Sequence, residues 1–451
     1  MSQLPLMYWY IFGLGKSGKS TMKYCMEQGI PFWVWDDQIA SLSTLSPEVI
    51  KDPSHVEWDY VKQIVVSPGI PHEGPHAHPV LTEAKKRGIS LTVDIEIFLK
   101  RAFHHPLYHI IGVTGTNGKS TTVSLITHLL NHAGKKAIAA GNIGTPVLDL
   151  PPPTEETYYV LELSSYQLTL LETAVLECAV LLNVTPDHLA YHGSMDRYVA
   201  AKIHIFDLVK KGAVCLSGAD DAVTQELCDR HPDWIAVSLL FQKCPIYIKG
   251  DYLIDNRWGE TIHLPFLKNL QGSHNAQNIG ASYGVVRTIL KQSFSIPSFL
   301  EGLETFQSLP HRQEIIPVSG DIVFVNDSKA TNMDAAEKSL KVFTKIHWIL
   351  GGEAKEGETP RSLSSLFSHV HHAYLVGASM AFFAKELDGF LPYTQCDTIQ
   401  NALQKAYAKA QPGDVILLAP ACASFDQFKN FEERGTLFKK WVQELVGERY
   451  D

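Results

Sequence analysis

Residues 109–122, His-Ile-Ile-Gly-Val-Thr-Gly-Thr-Asn-Gly-Lys-Ser-Thr-Thr, hold the most readable chemistry of this chain. An apolar strand runs into a glycine-rich turn, and Lys119 and Ser120 open a helix whose apolar positions Val123, Ile126, Leu130 and Ala133 keep helical spacing. In such a turn the backbone N–H groups of Gly115, Thr116, Asn117 and Gly118 can surround phosphate oxygens. Lys119 adds a compact positive charge, and Ser120, followed by Thr121, can offer a hydroxyl to Mg²⁺. This is the pattern of a nucleoside triphosphate site. Position 113 is valine, so the turn is spaced through Gly112, Gly115 and Gly118 rather than as the commonest phosphate loop. A glycine-rich strand turn without catalysis is the plain alternative.

A second loop competes with it. Gly13-Leu14-Gly15-Lys16-Ser17-Gly18-Lys19-Ser20 fits the stricter phosphate-loop pattern, and also contains Gly-x-Gly-x-x-Gly followed, after Phe32–Trp35, by Asp36. The surroundings separate the two loops. After Gly118-Lys119-Ser120 comes an apolar run, Tyr158–Leu161, ending in Glu162, whose hard oxygens suit Mg²⁺. Nothing comparable follows the first loop before Ser67-Pro68-Gly69. We read the first loop as a diphosphate cradle without hydrolysis, with Asp36 near a ribose or base. A nicotinamide dinucleotide site and a purely structural tight turn remain its alternatives.

These loops need strands and helices to hold them. The first ~95 residues alternate Tyr8–Phe12, a helix from Ser17, Phe32–Trp35, Ile64–Val66, a helix near Pro79–Arg87 and Ile89–Val93, an open α/β sheet. A break at about Asp94–His105 precedes the nucleotide strand. The central block adds Lys136–Ala140, Tyr158–Leu163 and Cys178–Val184, each running into polar residues at the strand end, where open parallel sheets place ligands. The last block repeats the alternation with Ile322–Asn326, His347–Leu350, Ala373–Val376 and Val415–Ala419, separated by helical segments such as Asn332–Val342 and Asn401–Ala410. Three α/β domains follow, at 1–96, 97–307 and 308–451: a Rossmann-like domain, a phosphate-loop ATPase-type domain with a mostly parallel sheet, and a second Rossmann-like domain.

A chain of 451 residues with 45% apolar residues suits three domains with ample cores. The formal net charge of −9 argues against a nucleic-acid surface. Seven cysteines without a Cys-x-x-Cys pair read as buried reduced thiols, not a disulfide framework or zinc site. No apolar run is long enough to span a bilayer, and the Met1 region lacks the order of a secretion signal, so a cytoplasmic protein is expected.

Gly-Thr-Asn-Gly-Lys-Ser-Thr at 115–121, Leu-Glu-Leu-Ser-Ser-Tyr-Gln-Leu at 161–168, Asn-Val-Thr-Pro-Asp-His-Leu at 183–189 and Asn-Asp-Ser-Lys-Ala-Thr-Asn at 326–332 together resemble the Mur ligases. These are ATP-dependent amide-forming enzymes of peptidoglycan precursor synthesis, and the resemblance covers the whole length. Residues 183–202, with His-Gly-Ser-Met and Tyr-x-x-x-Lys, and 420–431 point to the branch that adds D-glutamate to UDP-N-acetylmuramoyl-L-alanine. No Asp-Asn-Pro-Arg, expected of the diaminopimelate- or lysine-adding branch, is present in the last block. Another Mur-type or folylpolyglutamate-type amide ligase is the alternative within this chemistry; a nucleotide-driven switch is the alternative outside it.

The resemblance implies a set of roles. ATP would lie on Gly115–Thr121, with Asn275, Arg312 and Asp327 as further contacts. Ser120 and Glu162 would hold one Mg²⁺, and His188 and a CO₂-carbamylated Lys202 a second, so that Lys119, Glu162, His188 and Lys202 form the catalytic group. Leu14, Gly15, Lys16, Ser17, Asp36, Ser67 and Gly69 would bind the UDP moiety, and Asn142, Ser164 and Gln167 the rest of that substrate. Thr331, Lys355 and Ser424, with Lys329 nearby and Phe431 lining the pocket, would take D-glutamate. Nucleotide contacts from two domains imply closure over ATP. A monomer is expected. Two departures stand out: Ala190 where the family often has a second acid, and Phe425 where leucine is common.

Overall fold

The computed structural model describes residues 6–267, 269–270, 272–307, 309–355 and 357–447. The chain divides into two compact units, 1–265 with 277–303, and 266–276 with 304–451.

The first unit carries two sheets. One has four parallel strands in the order Phe32–Trp35, Tyr8–Phe12, Val61–Val66, Ser90–Thr92. The other has nine, and its nucleotide-loop strand Tyr108–Thr114 lies between parallel neighbours Thr157–Glu162 and Leu176–Leu181, with Lys136–Gly141 at the edge. On the far side the sheet continues through Val209–Gly218, Ile235–Ser238 and Ile246–Lys249, all parallel, and turns antiparallel at Tyr252–Asp255 and Glu260–His263.

Residues 94–105, expected as a break, instead hold the helix Asp94–Phe103. Its Ile95, Ile97, Phe98, Leu99 and Ala102 are buried in one core with Val65, Tyr108, Ile110 and Tyr159. Two buried acids disguise its amphipathic pattern. The Glu96 carboxylate accepts from Thr173 Oγ1 at 2.6 Å and from the N–H groups of Glu172 and Thr173, so its charge is held by hydrogen bonds rather than water.

The second unit is built on six strands in the order Glu314–Ile316, Val323–Asn326, Val415–Leu418, Ile346–Gly351, Val370–Val376, Tyr393–Asp397, all parallel except the first. Apolar clusters cover both faces, one centred on Trp348, Leu350, Leu375 and Phe383, the other on Ile349, Tyr374, Leu403 and Phe438. Burial on both faces is why these strands read as continuous apolar runs. All seven cysteines are free, and five are buried. Among the described residues no helix is long and apolar enough to cross a membrane.

Candidate active site

Strand register sets out the nucleotide loop. Val113 pairs with Glu162 and Thr114 with Leu181, so the loop, Glu162 and Asn183 all emerge at the carboxyl end of the sheet. The loop then turns at Gly118, φ +83°, into the helix Lys119–His132. The backbone angle strains any side chain there, and a Cβ would also sit 2.4 Å from Asn278 Oδ1, forcing that side chain to move. Asn183 clamps the loop, its Oδ1 accepting from Asn117 N at 2.8 Å and its Nδ2 donating to Asn117 O at 3.1 Å. The Thr116 hydroxyl donates to Thr185 O and accepts from Thr185 N, with Tyr198 Oη 3.0 Å away. Thr116 thus fixes the loop through its side chain and its backbone together, its N–H donating to Asn183 O at 2.9 Å. Ser120 is buried in the first turn, and Thr121 beside it is half-buried.

Lysines converge on this loop. Lys119 Nζ donates to Gly115 O and Thr116 O, both at 2.9 Å. Lys202, on the helix Met195–Ile203, is only 2% exposed and donates to Gly115 O at 2.8 Å. Burial, and then the charge of Lys119, hold the Lys202 amine well below the ordinary lysine range, with Asp187 and Glu162 pulling the other way. Glu162 is itself buried, and Asn142 ties to it twice, through N–H to Glu162 O at 2.9 Å and Nδ2 to Oε1 at 3.2 Å. His188 adopts a left-handed backbone, φ +53°, with its N–H on Asp187 Oδ1 and its Nε2 3.3 Å from Asp187 Oδ2. Its ring lies 5.0 Å from that of Tyr166, beside an aromatic group of Tyr191, His192 and Tyr198. Behind it His72 is buried between Tyr191 Oη at 2.7 Å and Thr169 Oγ1 at 3.1 Å, and desolvation lowers its pKa to about 4.

The first loop is built by close approach. A Cβ on Gly18 would meet Gly13 O at 1.9 Å, and Ser67 Oγ donates to that same oxygen at 2.9 Å, joining the two segments expected to hold UDP. Asp36 accepts from Leu14 N at 2.6 Å and Gln38 N at 2.8 Å, so its carboxylate shapes this loop. Ser17 bonds to buried Asp94, whose carboxyl is pushed up by desolvation. Gly15, Lys16 and Gly69 are exposed. Ser164 and Gln167 form a capping box at the helix Ser165–Leu168, with Gln167 Oε1 accepting from Ser164 N at 3.0 Å and Ser164 Oγ accepting from Gln167 N at 3.2 Å.

In the second unit Asp327 follows the strand Val323–Asn326. Ser339 Oγ donates to its Oδ2 at 2.5 Å and Gln313 N to its Oδ1 at 3.3 Å. Burial raises its pKa to about 6 despite the nearby positive charge of Arg312. Lys329 Nζ stands 5.0 Å from the Phe431 ring centre. Thr331 is half-buried beside them, Ser424 is buried, Lys355 is exposed on the loop after Gly352, and Asn275 is buried near the start of the helix Ser273–Leu290. Phe425 is 69% exposed.

Sequence reasoning missed the residue that ties these loops together. Arg434, fully buried on the helix Phe431–Gly447, donates to Ser328 Oγ at 2.9 Å, Ser328 O at 2.7 Å and Cys422 O at 3.1 Å, while Ser328 Oγ donates to Phe431 O. The Lys329–Thr331 loop, the Ser424 loop and Phe431 thus share one anchor. An arginine in a Glu-Glu-Arg-Gly run carries no sequence signal of burial.

Comparison with known proteins places these features in a family. Residues 8–93 match the Mur ligase MurD-like N-terminal domain, 113–286 the Mur ligase middle domain, and 311–422 the Mur ligase glutamate ligase domain. A UDP-N-acetylmuramoylalanine–D-glutamate ligase of Paramagnetospirillum magneticum is 39% identical over 444 residues, covering 96% of this chain and 95% of that protein. The enzyme of the same name from Rhodospirillum rubrum is 38% identical, covering 100% and 98%. Among solved structures, the UDP-N-acetylmuramate–alanine ligase MurC of Thermotoga maritima aligns with a TM-score of 0.63 at 15% identity, over 97% of this chain and all of that one. MurF from the same organism, solved with ADP, aligns at 0.58 and 18% identity, over 87% and 97%. From its first sheet to its last the chain is a member of the Mur ligase family.

Proposed function

We propose that this chain joins D-glutamate to UDP-N-acetylmuramoyl-L-alanine with ATP, releasing ADP and phosphate, as a cytoplasmic monomer with domains at 1–96, 97–307 and 308–451. The observation that carries this reading is that relatives named for this reaction match along the whole chain. In this reading a substrate carboxylate oxygen attacks the γ-phosphorus and ADP leaves. The D-glutamate amine then attacks the acyl carbon of the resulting acyl phosphate, phosphate departs with the bonding electrons, and the nitrogen gives up a proton. Holding so many negative oxygens together needs fixed positive charge and preorganised N–H donors.

In the first unit, residues 115–121, with the Lys119 ammonium, are assigned to the phosphates, and residues 14–17, Asp36, Ser67 and Gly69 to the UDP moiety, with Asn142, Ser164 and Gln167 toward its far end. Ser120 and Glu162 offer hydroxyl and carboxylate oxygens, the donor types Mg²⁺ prefers, and both are buried at the end of the nucleotide strand pair. His188 and Lys202 are assigned to a second ion; bound Mg²⁺ would neutralise phosphate oxygens. The depressed basicity of Lys202 supports its carbamylation, since only a neutral amine adds CO₂, forming the N–C bond and releasing a proton. In the second unit Asn275, Arg312 and Asp327 are assigned to the nucleotide, and Lys329, Thr331, Lys355, Ser424 and Phe431 to D-glutamate.

ADP release measured with UDP-N-acetylmuramoyl-L-alanine across a panel of L- and D-amino acids tests the reading. Turnover restricted to D-glutamate is expected. Turnover with a diamino acid, or with a folate in place of the UDP substrate, would overturn it.

A further inference from the structure

We propose that His347, His371 and Asp414 form a site for a divalent transition metal of the zinc class, at the end of the second unit's sheet opposite its substrate loops. The three residues stand at the amino ends of three adjacent parallel strands: His347 is second in Ile346–Gly351, His371 second in Val370–Val376, and Asp414 immediately precedes Val415–Leu418. The loops assigned to substrate leave the carboxyl ends of the same sheet, so this cluster belongs to none of the chemistry described above.

The ligand atoms are already gathered. His347 Nε2 lies 3.1 Å from Asp414 Oδ2 and His371 Nδ1 lies 3.8 Å from Asp414 Oδ1, and one donor atom from each of the three residues lies within 4.8 Å of the others. Two ligands each about 2.0–2.1 Å from a tetrahedral ion stand about 3.3 Å apart, so the His347–Asp414 separation already falls close to a coordination edge. His371, with its side chain 51% exposed, can turn to close the remaining gap. Its placement is itself unusual. Ile346 pairs with Val370 but His347 pairs with His372, so His371 is the extra residue of a bulge, the local irregularity by which strands re-aim a side chain.

The surroundings fit metal ligation. His347 Nδ1 lies 3.0 Å from Tyr374 Oη, a hydroxyl able to accept from it, so the neutral ring can keep its proton there and present the Nε2 lone pair. Gln411 N donates to Asp414 Oδ2 at 2.8 Å, orienting the carboxylate and leaving Oδ1 toward His371. His372 is spoken for, its Nε2 2.8 Å from Thr394 Oγ1. The three residues line an open cavity of about 630 Å³, which leaves room for water to complete the shell. Lys345 and Lys409 also line it, but both are exposed, and solvent screens their repulsion of a cation. Two imidazoles and one carboxylate favour Zn²⁺, Co²⁺ or Ni²⁺ over Mg²⁺, which prefers oxygen ligands. A bound ion would pin three strand ends together.

Co²⁺ titration of the metal-stripped full chain in excess Mg²⁺ tests this, read by the visible absorption of Co²⁺ and by thermal unfolding. One equivalent is expected to bind with the intense bands of a four-coordinate ion, to be displaced by Zn²⁺, and to raise the unfolding temperature. His371→Ala and Asp414→Asn should each weaken binding by about 100-fold or more, and Tyr374→Phe by roughly 10–100-fold. Glu162→Gln should bind as wild type. Absence of a saturable, Mg²⁺-resistant equivalent, or an equivalent untouched by both His371→Ala and Asp414→Asn, would overturn the proposal.

Discussion

Lys202 donates to the carbonyl oxygen of Gly115 at 2.8 Å, the same oxygen to which Lys119 donates at 2.9 Å. Two amines on one buried carbonyl repel each other, which favours a neutral Lys202. Conversion of that amine to a carbamate would replace the repulsion with attraction. Activity should therefore fall when bicarbonate is stripped and recover when it is restored. Lys202→Arg, which keeps a charge but cannot form the carbamate, should lose at least about 100-fold in kcat. A fully active Lys202→Arg enzyme would sink this assignment.

The two glycine-rich loops differ in what their lysines can do. Lys119 is folded onto its own loop, whereas Lys19 is exposed on the helix Lys16–Glu27. Lys119→Ala should abolish ATP turnover while leaving UDP-substrate binding, measured by calorimetry, near wild type. Lys19→Ala should turn over ATP almost normally. The reverse pattern would exchange the roles of the loops.

Asp36→Ala should act in two ways at once. It strips the acceptor from Leu14 N and Gln38 N, costing about 1–2 kcal/mol of stability, and it should raise KM for the UDP substrate with little change in KM for ATP. Asp36→Asn keeps one acceptor oxygen and should recover part of the stability. An unchanged KM for the UDP substrate in both variants removes Asp36 from the site.

Arg434→Met takes three donors away from Ser328 and Cys422 in a buried place, at a cost of about 3 kcal/mol or more. Since those carbonyls shape the Lys329 and Ser424 loops, kcat/KM for D-glutamate should drop at least about tenfold, while binding of the UDP substrate by the first unit holds. Lys in this position cannot span all three acceptors and should rescue only partly. Equal D-glutamate kinetics in a folded Arg434→Met protein would show that the anchor has no bearing on the pocket.

Asp327 gives a pH dependence with a definite sign. Its folded pKa of about 6 lies above the ordinary 3.8, so the fold favours the protonated form. That contribution is fully present below about pH 3.8 and is lost as pH rises through about 6, a total of about 3 kcal/mol. Asp327→Asn should lack this loss. Denaturant unfolding compared at about pH 4 and about pH 7 should show the variant gaining on wild type as pH rises, and parallel curves would count against it.

Parallel strands were legible where burial on both faces makes a long continuous apolar run, as in Tyr108–Thr114 and Ile346–Gly351, but not in Val209–Gly218 or the short Ile235–Ser238. The helix Asp94–Phe103 was not, because Asp94 and Glu96 are buried acids that imitate a polar break. Nor were the antiparallel strands Tyr252–Asp255 and Glu260–His263, whose short half-exposed stretches differ little from loops. At the site, residue types at fixed spacing picked out the loop at 115–120 and Glu162, which the sheet brings to one end, yet the loop's clamp by Asn183 and the anchoring by Arg434 depend on contacts across 66 and about a hundred positions of chain. Ser164 and Gln167 were visible as a motif, while the capping box they form at a helix end became apparent only in the fold.

His188 holds a backbone angle, φ +53°, that glycine or asparagine adopts at less cost, a handicap of about 1 kcal/mol or more for an imidazole-bearing residue. With the imidazole assigned to the second ion, the best residue for durability and the best for chemistry would differ at this position. An engineering campaign that ranked variants by melting temperature alone would drift toward glycine at 188 and discard that imidazole, so heat resistance here would be a misleading proxy for a working enzyme.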